Sequence, residues 1–267
     1  MVIVNDVLEF LKSAAPLEMK MDFDNIGLLV GRSGDILSKI IVSLDITSDV
    51  ITEALDAGAG LIVSHHPLFF SLKTITDADI TGRKIIRMLS GGVSAICMHT
   101  NLDAARGGVN DMLAAAAGLS HDGTPAELLA DEGTLVTGEK FSYGRVGHLA
   151  APSPMNDYMA LLKAALDVSA LRYYDSGNDV YKVAVVGGSG GSHFEHALAQ
   201  GCDTFVTADI KYDNFLEAKE LGINLIDAGH FCTENVVTAP LALKLQAAFP
   251  GIDVRASEKH GQTIKFY

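Results

Sequence analysis

Seven side chains in this sequence combine metal-ligating types with a regular spacing. His65 and His66 are adjacent, His99 and Asp103 stand four apart, His230 and Glu234 stand four apart, and Asp209 precedes the last pair. Imidazole and carboxylate together suit borderline or hard divalent ions such as zinc, iron, manganese or nickel. An open catalytic site on one ion typically uses three protein ligands. His65, His66, Asp103, His230 and Glu234 are too many for that, and carboxylates can bridge. The expectation is two divalent metal ions per chain, with positions left for water. A water shared by two cations loses its proton near neutral pH and becomes a nucleophile. His99 has two roles open to it, as a ligand or as an acid/base standing behind the ligands. A satisfied histidine at a strand end accounts for it equally well.

These residues need elements to hold them. Residues 61–63 are apolar and read as a short interior strand running into His65-His66-Pro67. Pro67 cannot extend a central ladder and biases His66 to an extended shape. The two histidines therefore sit where a strand stops. In a parallel sheet that is the carboxyl edge, where such folds place ligands. On this stretch alone, one buried and one solvated histidine is the better reading. Further strands are expected over 28–30, 40–44, 93–98, 143–149, 171–174, 181–186, 203–207 and 223–227, with a last one at 264–267. Helices are expected between them, the first capped by Asn5 before Pro16, one started by Ser48 or Asp49, and one from about 235 to 248. Strand and helix alternate, which implies a largely parallel sheet covered by helices.

The two halves repeat this plan. Each has a strand, a helix, a second strand ending in polar residues, a helix and a third strand. The third strand ends in His99-x-x-x-Asp103 in one half and His230-x-x-x-Glu234 in the other. The expected fold is α/β, with two similar lobes facing each other and a metal site in the cleft between them. The turn-rich stretch 120–138 suggests the boundary. Residues 1–125, completed by 236–267, form the first lobe, and 126–235 the second. Gly187-Gly188-Ser189-Gly190-Gly191 joins a strand to a helix. It lacks the Lys-Ser/Thr of a phosphate-binding loop, so a plain turn is the better account than a phosphate cradle. Asn25 and Asn101 read as loop-stabilising amides. Lys211 and Arg106 are candidates to meet an anionic substrate, although solvated charges are commoner.

The formal net charge is −13. That argues against a chain-wide nucleic-acid footprint or attraction to anionic membrane. No apolar run approaches a membrane span. The three cysteines, Cys97, Cys202 and Cys232, form no disulfide framework and read as small buried side chains. A cytoplasmic protein is the default expectation.

Phe23-Asp24-Asn25-Ile26-Gly27-Leu28, Ser64-His65-His66-Pro67, His99-Thr100-Asn101-Leu102-Asp103 and Asp227-Ala228-Gly229-His230 with Glu234 together resemble the NIF-three-like family, whose members are named GTP cyclohydrolase 1 type 2 homologues. The resemblance covers nearly the whole chain in order. It implies a three-layer, two-lobed protomer and a dinuclear centre held by His65, His66, Asp103, His230 and Glu234. It also implies assembly into a homohexamer. Ala208 and Asp213 depart from the residues common in relatives. The function so implied is a dinuclear-metal-dependent hydrolase acting on a small molecule, a nucleotide or a related phosphorylated compound. The alternative is a non-enzymatic metal-binding or regulatory assembly protein.

Overall fold

The computed structural model describes residues 1–119 and 124–267. Its first elements are α1 (Val4–Ala14), β1 (Gly27–Val30), β2 (Lys39–Ser43), α2 (Ser48–Ala57), β3 (Leu61–Ser64), α3 (Ile80–Ser90), β4 (Ser94–Cys97), α4 (Thr100–Ala104) and α5 (Val109–Ala116). Next come β5 (Glu127–Leu128), β6 (Gly133–Thr134), β7 (Lys140–Phe141), β8 (Arg145–Ser153), α6 (Met155–Ala165), β9 (Arg172–Tyr174), β10 (Val180–Val185) and α7 (Phe194–Ala199). The chain closes with β11 (Thr204–Thr207), α8 (Tyr212–Leu221), β12 (Asn224–Asp227), α9 (His230–Glu234), α10 (Thr238–Ala248) and β13 (Asp253–Ala256). Among the described residues, no helix is long and apolar enough to cross a membrane.

Two compact units result. One is Met1–Leu102 with Thr238–Gly261, and the other is Asp103–Val237 with Gln262–Tyr267. The division falls at 102/103 rather than at 125/126. Of the stretch expected to hold it, residues 120–123 lie outside the described residues. The physical reason for the shift is α5. Its Leu113 and Ala114, with Ala117 after it, belong to an apolar cluster with Val183, Val185 and Val206 of the second unit.

The first unit holds a five-stranded sheet in the order β1-β4-β3-β2-β13. Strands β4, β3, β2 and β13 are parallel, and β1 runs antiparallel on β4. Strand β3 is buried at every position, as a strand covered on both faces must be, and this explains its unbroken apolar run. Ile41, Ile62 and Ala95 pack on Val50, Ile51 and Ala54 of α2 and on Ile85 and Met88 of α3. The second unit holds a six-stranded sheet, β5-β8-β10-β11-β12-β9. Its central strands β10, β11 and β12 are parallel. Alternate residues face opposite ways. Val183, Val185, Val206 and Ile226 pack with α5 and α6 residues, and Ala184, Phe205 and Leu225 pack with Phe194, Ala197 and Ala218. That unit is helix, sheet, helix in layers.

Local expectations fail in four places. The last strand is β13, and 264–267 forms none. Asn5 is not the cap of α1; Ile3 occupies that position and its N–H donates to Asp6 Oδ2 at 2.9 Å. Helix α2 is capped by Thr47, whose hydroxyl accepts from Val50 N–H at 3.1 Å. The segments carrying Asp103 and Glu234, read only as the ends of their strands, form the one-turn helices α4 and α9.

Arg145 is the largest fully buried side chain and sits at the start of β8. Desolvating a guanidinium costs several kcal/mol, so it needs its donors matched. Nη1 donates to the carbonyls of Ser142 (2.8 Å) and Gly144 (3.0 Å), Nη2 to those of Ala104 (3.0 Å) and Ala105 (3.2 Å), and Nε to Asp111. It thus fixes the end of α4 directly beside Asp103. Arg145→Met should leave these carbonyls without their donor and Asp111 with only the Gly107 N–H and the more distant Arg106, and destabilise the fold by about 3 kcal/mol or more. Denaturant unfolding measures this, and a loss below about 1 kcal/mol would contradict the role given to Arg145.

Candidate metal centre

In the first unit, the polar residues lie just past the carboxyl ends of neighbouring parallel strands. After β3, His65 N–H still donates to Ser43 O (3.2 Å) and His66 N–H to Leu44 O (2.8 Å). His99 follows β4 in the same way, after Met98 N–H has bonded Ser64 O at 2.9 Å. One ring nitrogen each from His65, His66 and His99 lie within 4.8 Å of one another. His65 is 2% exposed.

The other nitrogen of each ring is held. His65 Nδ1 donates to the Met98 carbonyl (3.0 Å), His66 Nδ1 to Asp45 Oδ1 (2.8 Å), and His99 Nδ1 to Asp24 Oδ1 (2.8 Å). Carbonyl and carboxylate oxygens only accept, so Nδ1 carries the hydrogen. In the neutral ring the lone pair is then at Nε2. This is the form in which a metal-ligating histidine is normally held. Burial opposes ionisation of Asp24, but hydrogen bonds from His99 and Thr100 outweigh it and hold the carboxyl down at about 2. Burial likewise works against Asp45. Hydrogen bonds from His260 and His66 overcome it and keep that carboxyl well below the usual range.

In the second unit, His230 follows β12 and shares the pattern, with Nδ1 donating to Asp209 Oδ2 at 2.7 Å. Asp209 follows β11 in a left-handed backbone conformation, φ 53°. Aspartate is among the few residues that tolerate this conformation. On α9, Glu234 lies one turn on from His230, with Oε2 at 3.1 Å from Nε2. The Glu234 hydrogen bond raises the His230 pKa to about 9, against burial and with help from Asp209. Asp103 and Glu234 each bring a carboxylate oxygen within 4.8 Å of the other. Each unit therefore has its own set of donors: three imidazoles in the first, one imidazole and two carboxylates in the second. Their chemistry fits divalent ions.

A polar frame sets the second group. Asn110 is fully buried. It donates from Nδ2 to the carbonyls of Asp103 (3.2 Å) and Tyr143 (2.9 Å), and Oδ1 accepts from Gly187 N–H (2.8 Å). Gly188 N–H donates to Thr233 Oγ1 at 3.0 Å and Gly190 N–H to Thr207 Oγ1 at 3.0 Å. The glycine run is thus a turn whose amides are engaged internally. Its requirement for glycine is one of space. A Cβ on Gly188 (φ +62°) would stand 2.0 Å from Glu234 Oε1.

Asn25 and Asn101 serve loops, donating to Phe69 O (2.8 Å) and Ala15 O (2.7 Å). Arg106 is engaged by Ala126 O at 3.1 Å. All three cysteines are free thiols and buried. Sequence reasoning missed Asp24, Asp45 and His260 as supporting residues. Asp24 lay within a quoted motif, whereas Asp45 and His260 gave no local signal.

Over residues 2–262 the chain matches the family model Duf34/NIF3 (NGG1p interacting factor 3). A Clostridium perfringens protein named GTP cyclohydrolase 1 type 2 homolog is 35% identical over 245 residues, 91% of each chain. A Helicobacter pylori protein named GTP cyclohydrolase 1 type 2 is 34% identical over 235 residues, 88% of each. Among solved structures, a Staphylococcus aureus hypothetical protein superposes with a TM-score of 0.90 at 27% identity, covering 99% of both chains. A Bacillus cereus protein related to NIF3 shares the fold, with a TM-score of 0.91 at 24% identity over 100% of this chain and 99% of that one. The fold is thus the mixed α/β fold of the NIF3 superfamily. The chain belongs to the Duf34/NIF3 family.

Gly188→Ala tests the frame around Glu234. The left-handed backbone should cost about 1 kcal/mol, and the new methyl should push Oε1 aside. Metal binding should weaken while circular dichroism stays native. Wild-type metal affinity in this variant would show that Glu234 does not need the space.

Proposed function

We propose that the chain is a dinuclear-metal-dependent hydrolase acting on a nucleotide or a related phosphorylated small molecule. The observation that carries this is the common posture of His65, His66, His99 and His230. Each has Nδ1 held by an acceptor, which sets the direction of Nε2; in His230 that nitrogen also shares a proton with Glu234, which a bound ion would displace. The ligands would be His65, His66, Asp103, His230 and Glu234, drawn from both units into an inter-lobe site. His99 is held like the others, so we count it with the ligands rather than behind them. Bound divalent ions, whether zinc, iron, manganese or nickel, would activate water and polarise the attacked centre.

The chain's own residues supply the rest. Asp24, Asp45 and Asp209 orient the rings, and Asn110 and Gly188 set Asp103 and Glu234 in place. A cavity of about 360 Å³ in the first unit is lined by Ser48, Ile51, Ile80, Arg83, Lys84 and Arg87. Burial lowers the Lys84 pKa, although Asp45 attracts its ammonium. Three cations in one concavity support an anionic substrate. The names of the Clostridium and Helicobacter relatives support a purine nucleotide. We propose a cytoplasmic homohexamer. Exposed Phe70, Leu72, Ile75, Ile86 and Leu89 in one stretch support a self-association surface.

Purified chain should hold two divalent ions by elemental analysis and turn over a member of a nucleotide and phosphoester panel only when metal-loaded. Glu234→Ala should lose most of the metal and the activity while staying folded. Arg83→Ala should keep the metal and weaken nucleotide binding roughly tenfold. Cys97→Ser and Cys232→Ser should keep their metal, since the donor set is complete without thiolates. Two bound ions with no turnover across the panel would favour the metal-binding assembly reading. A monomer in light scattering at micromolar concentration would remove the hexamer.

A further inference from the structure

Beyond β13 the chain is tied down residue by residue against β2 and the middle of α2. Ser257 N–H donates to Val42 O at 2.7 Å. The Ser257 hydroxyl donates to Glu53 Oε2, and Glu258 N–H donates to Glu53 Oε1 at 2.8 Å. Lys259 N–H returns to Ser257 Oγ at 3.2 Å. This turn delivers His260, whose Nε2 donates to Asp45 Oδ2 at 2.8 Å and whose side chain is only 9% exposed. The other oxygen of the same carboxylate, Oδ1, accepts from His66 Nδ1 at 2.8 Å. Asp45 is thus shared between a proposed ligand and a histidine from the opposite end of the sequence.

The second bond has a mechanical consequence. The Asp45 side chain is 41% exposed. An aspartate χ2 is a broad torsion with shallow minima. Without His260 the carboxylate would keep its bond from His66 and the attraction of Lys84 but lose the bond on Oδ2, so it could swing and carry the imidazole with it. Fixed at both oxygens, its plane is set, and so is the direction of His66 Nε2. We propose that His260 is a positioning residue of the metal centre, locking Asp45 so that His66 presents Nε2 in one orientation, with the segment 257–260 as the strap that holds it there. This inference rests on the reading of His66 as a ligand.

The test uses the full chain with Co²⁺ as probe, read by chelator competition and by visible absorption. His260→Ala should bind Co²⁺ about tenfold more weakly and shift the absorption bands, because one ligand changes its angle. His260→Gln, whose amide can still donate to Asp45, should recover most of both. If His260→Ala fails to fold, Glu53→Ala loosens the strap without touching Asp45 and should give a smaller loss of the same kind. Wild-type affinity and spectrum in His260→Ala, even with a lowered Tm, would overturn the proposal. A wild-type chain that binds no Co²⁺ would instead remove the metal reading itself, and this inference with it.

Discussion

An imidazole can ligate a metal predictably only if its other nitrogen is held, and the rest of the structure depends on that constraint. Four histidines here have Nδ1 on an oxygen at 2.7 to 3.0 Å. Those oxygens come from other strand ends or loops, never from the histidine's own strand. Adjacent parallel strands lie about 4.8 Å apart, so a residue past the end of one is within reach of a residue past the end of the next. His66 after β3 reaches Asp45 after β2, His65 after β3 reaches Met98 after β4, and His230 after β12 reaches Asp209 after β11. The runs β4-β3-β2 and β10-β11-β12 are what make such reaches possible. A slip of one residue in register would turn these ends toward the other face. The fully buried apolar strands, which fix register, therefore also fix the site.

The donors were legible in the sequence because strand-end signals are local. An apolar run followed by a polar pair and a proline, as at residues 61–67, reads directly as a strand entering a loop. Of the acceptors, Asp209 was among the seven candidates, but Asp24 and Asp45 were not legible as partners. Asp24 lies 75 residues from His99 and His260 lies 215 from Asp45, and no local pattern links them. The turns α4 and α9 were missed for a related reason. Five residues are too few for a helical period to register, yet one turn is what brings residues four apart onto one side. The glycine run was recognised as a turn, but its need for glycine comes from Glu234, a residue 46 positions on from Gly188 and invisible from the run itself. The unit boundary was misplaced because α5 is apolar on the side that meets the second sheet, and composition does not say which sheet a helix will cover.

The electrostatics show why such an arrangement suits a cation. Two carboxylates, Asp103 and Glu234, approach within 4.8 Å in a chain of formal net charge −13. With both ionised, at an effective dielectric near 20, their repulsion would be of the order of 3 to 4 kcal/mol, comparable to a large share of the stability of a typical domain. Part of it is offset by His230, which Glu234 and Asp209 hold as an imidazolium. One protonated ring cannot also offset Asp24 and Asp45, whose carboxyls stay ionised against burial. Arg145, Asn110 and the glycine turn nonetheless keep the acidic groups where they are, so the fold maintains a charge distribution that relaxation would disperse. Divalent cations reverse the sign of that term. The free energy of binding them would then be in part relief of that repulsion, and it would couple the candidate metal centre to the stability of the units that frame it.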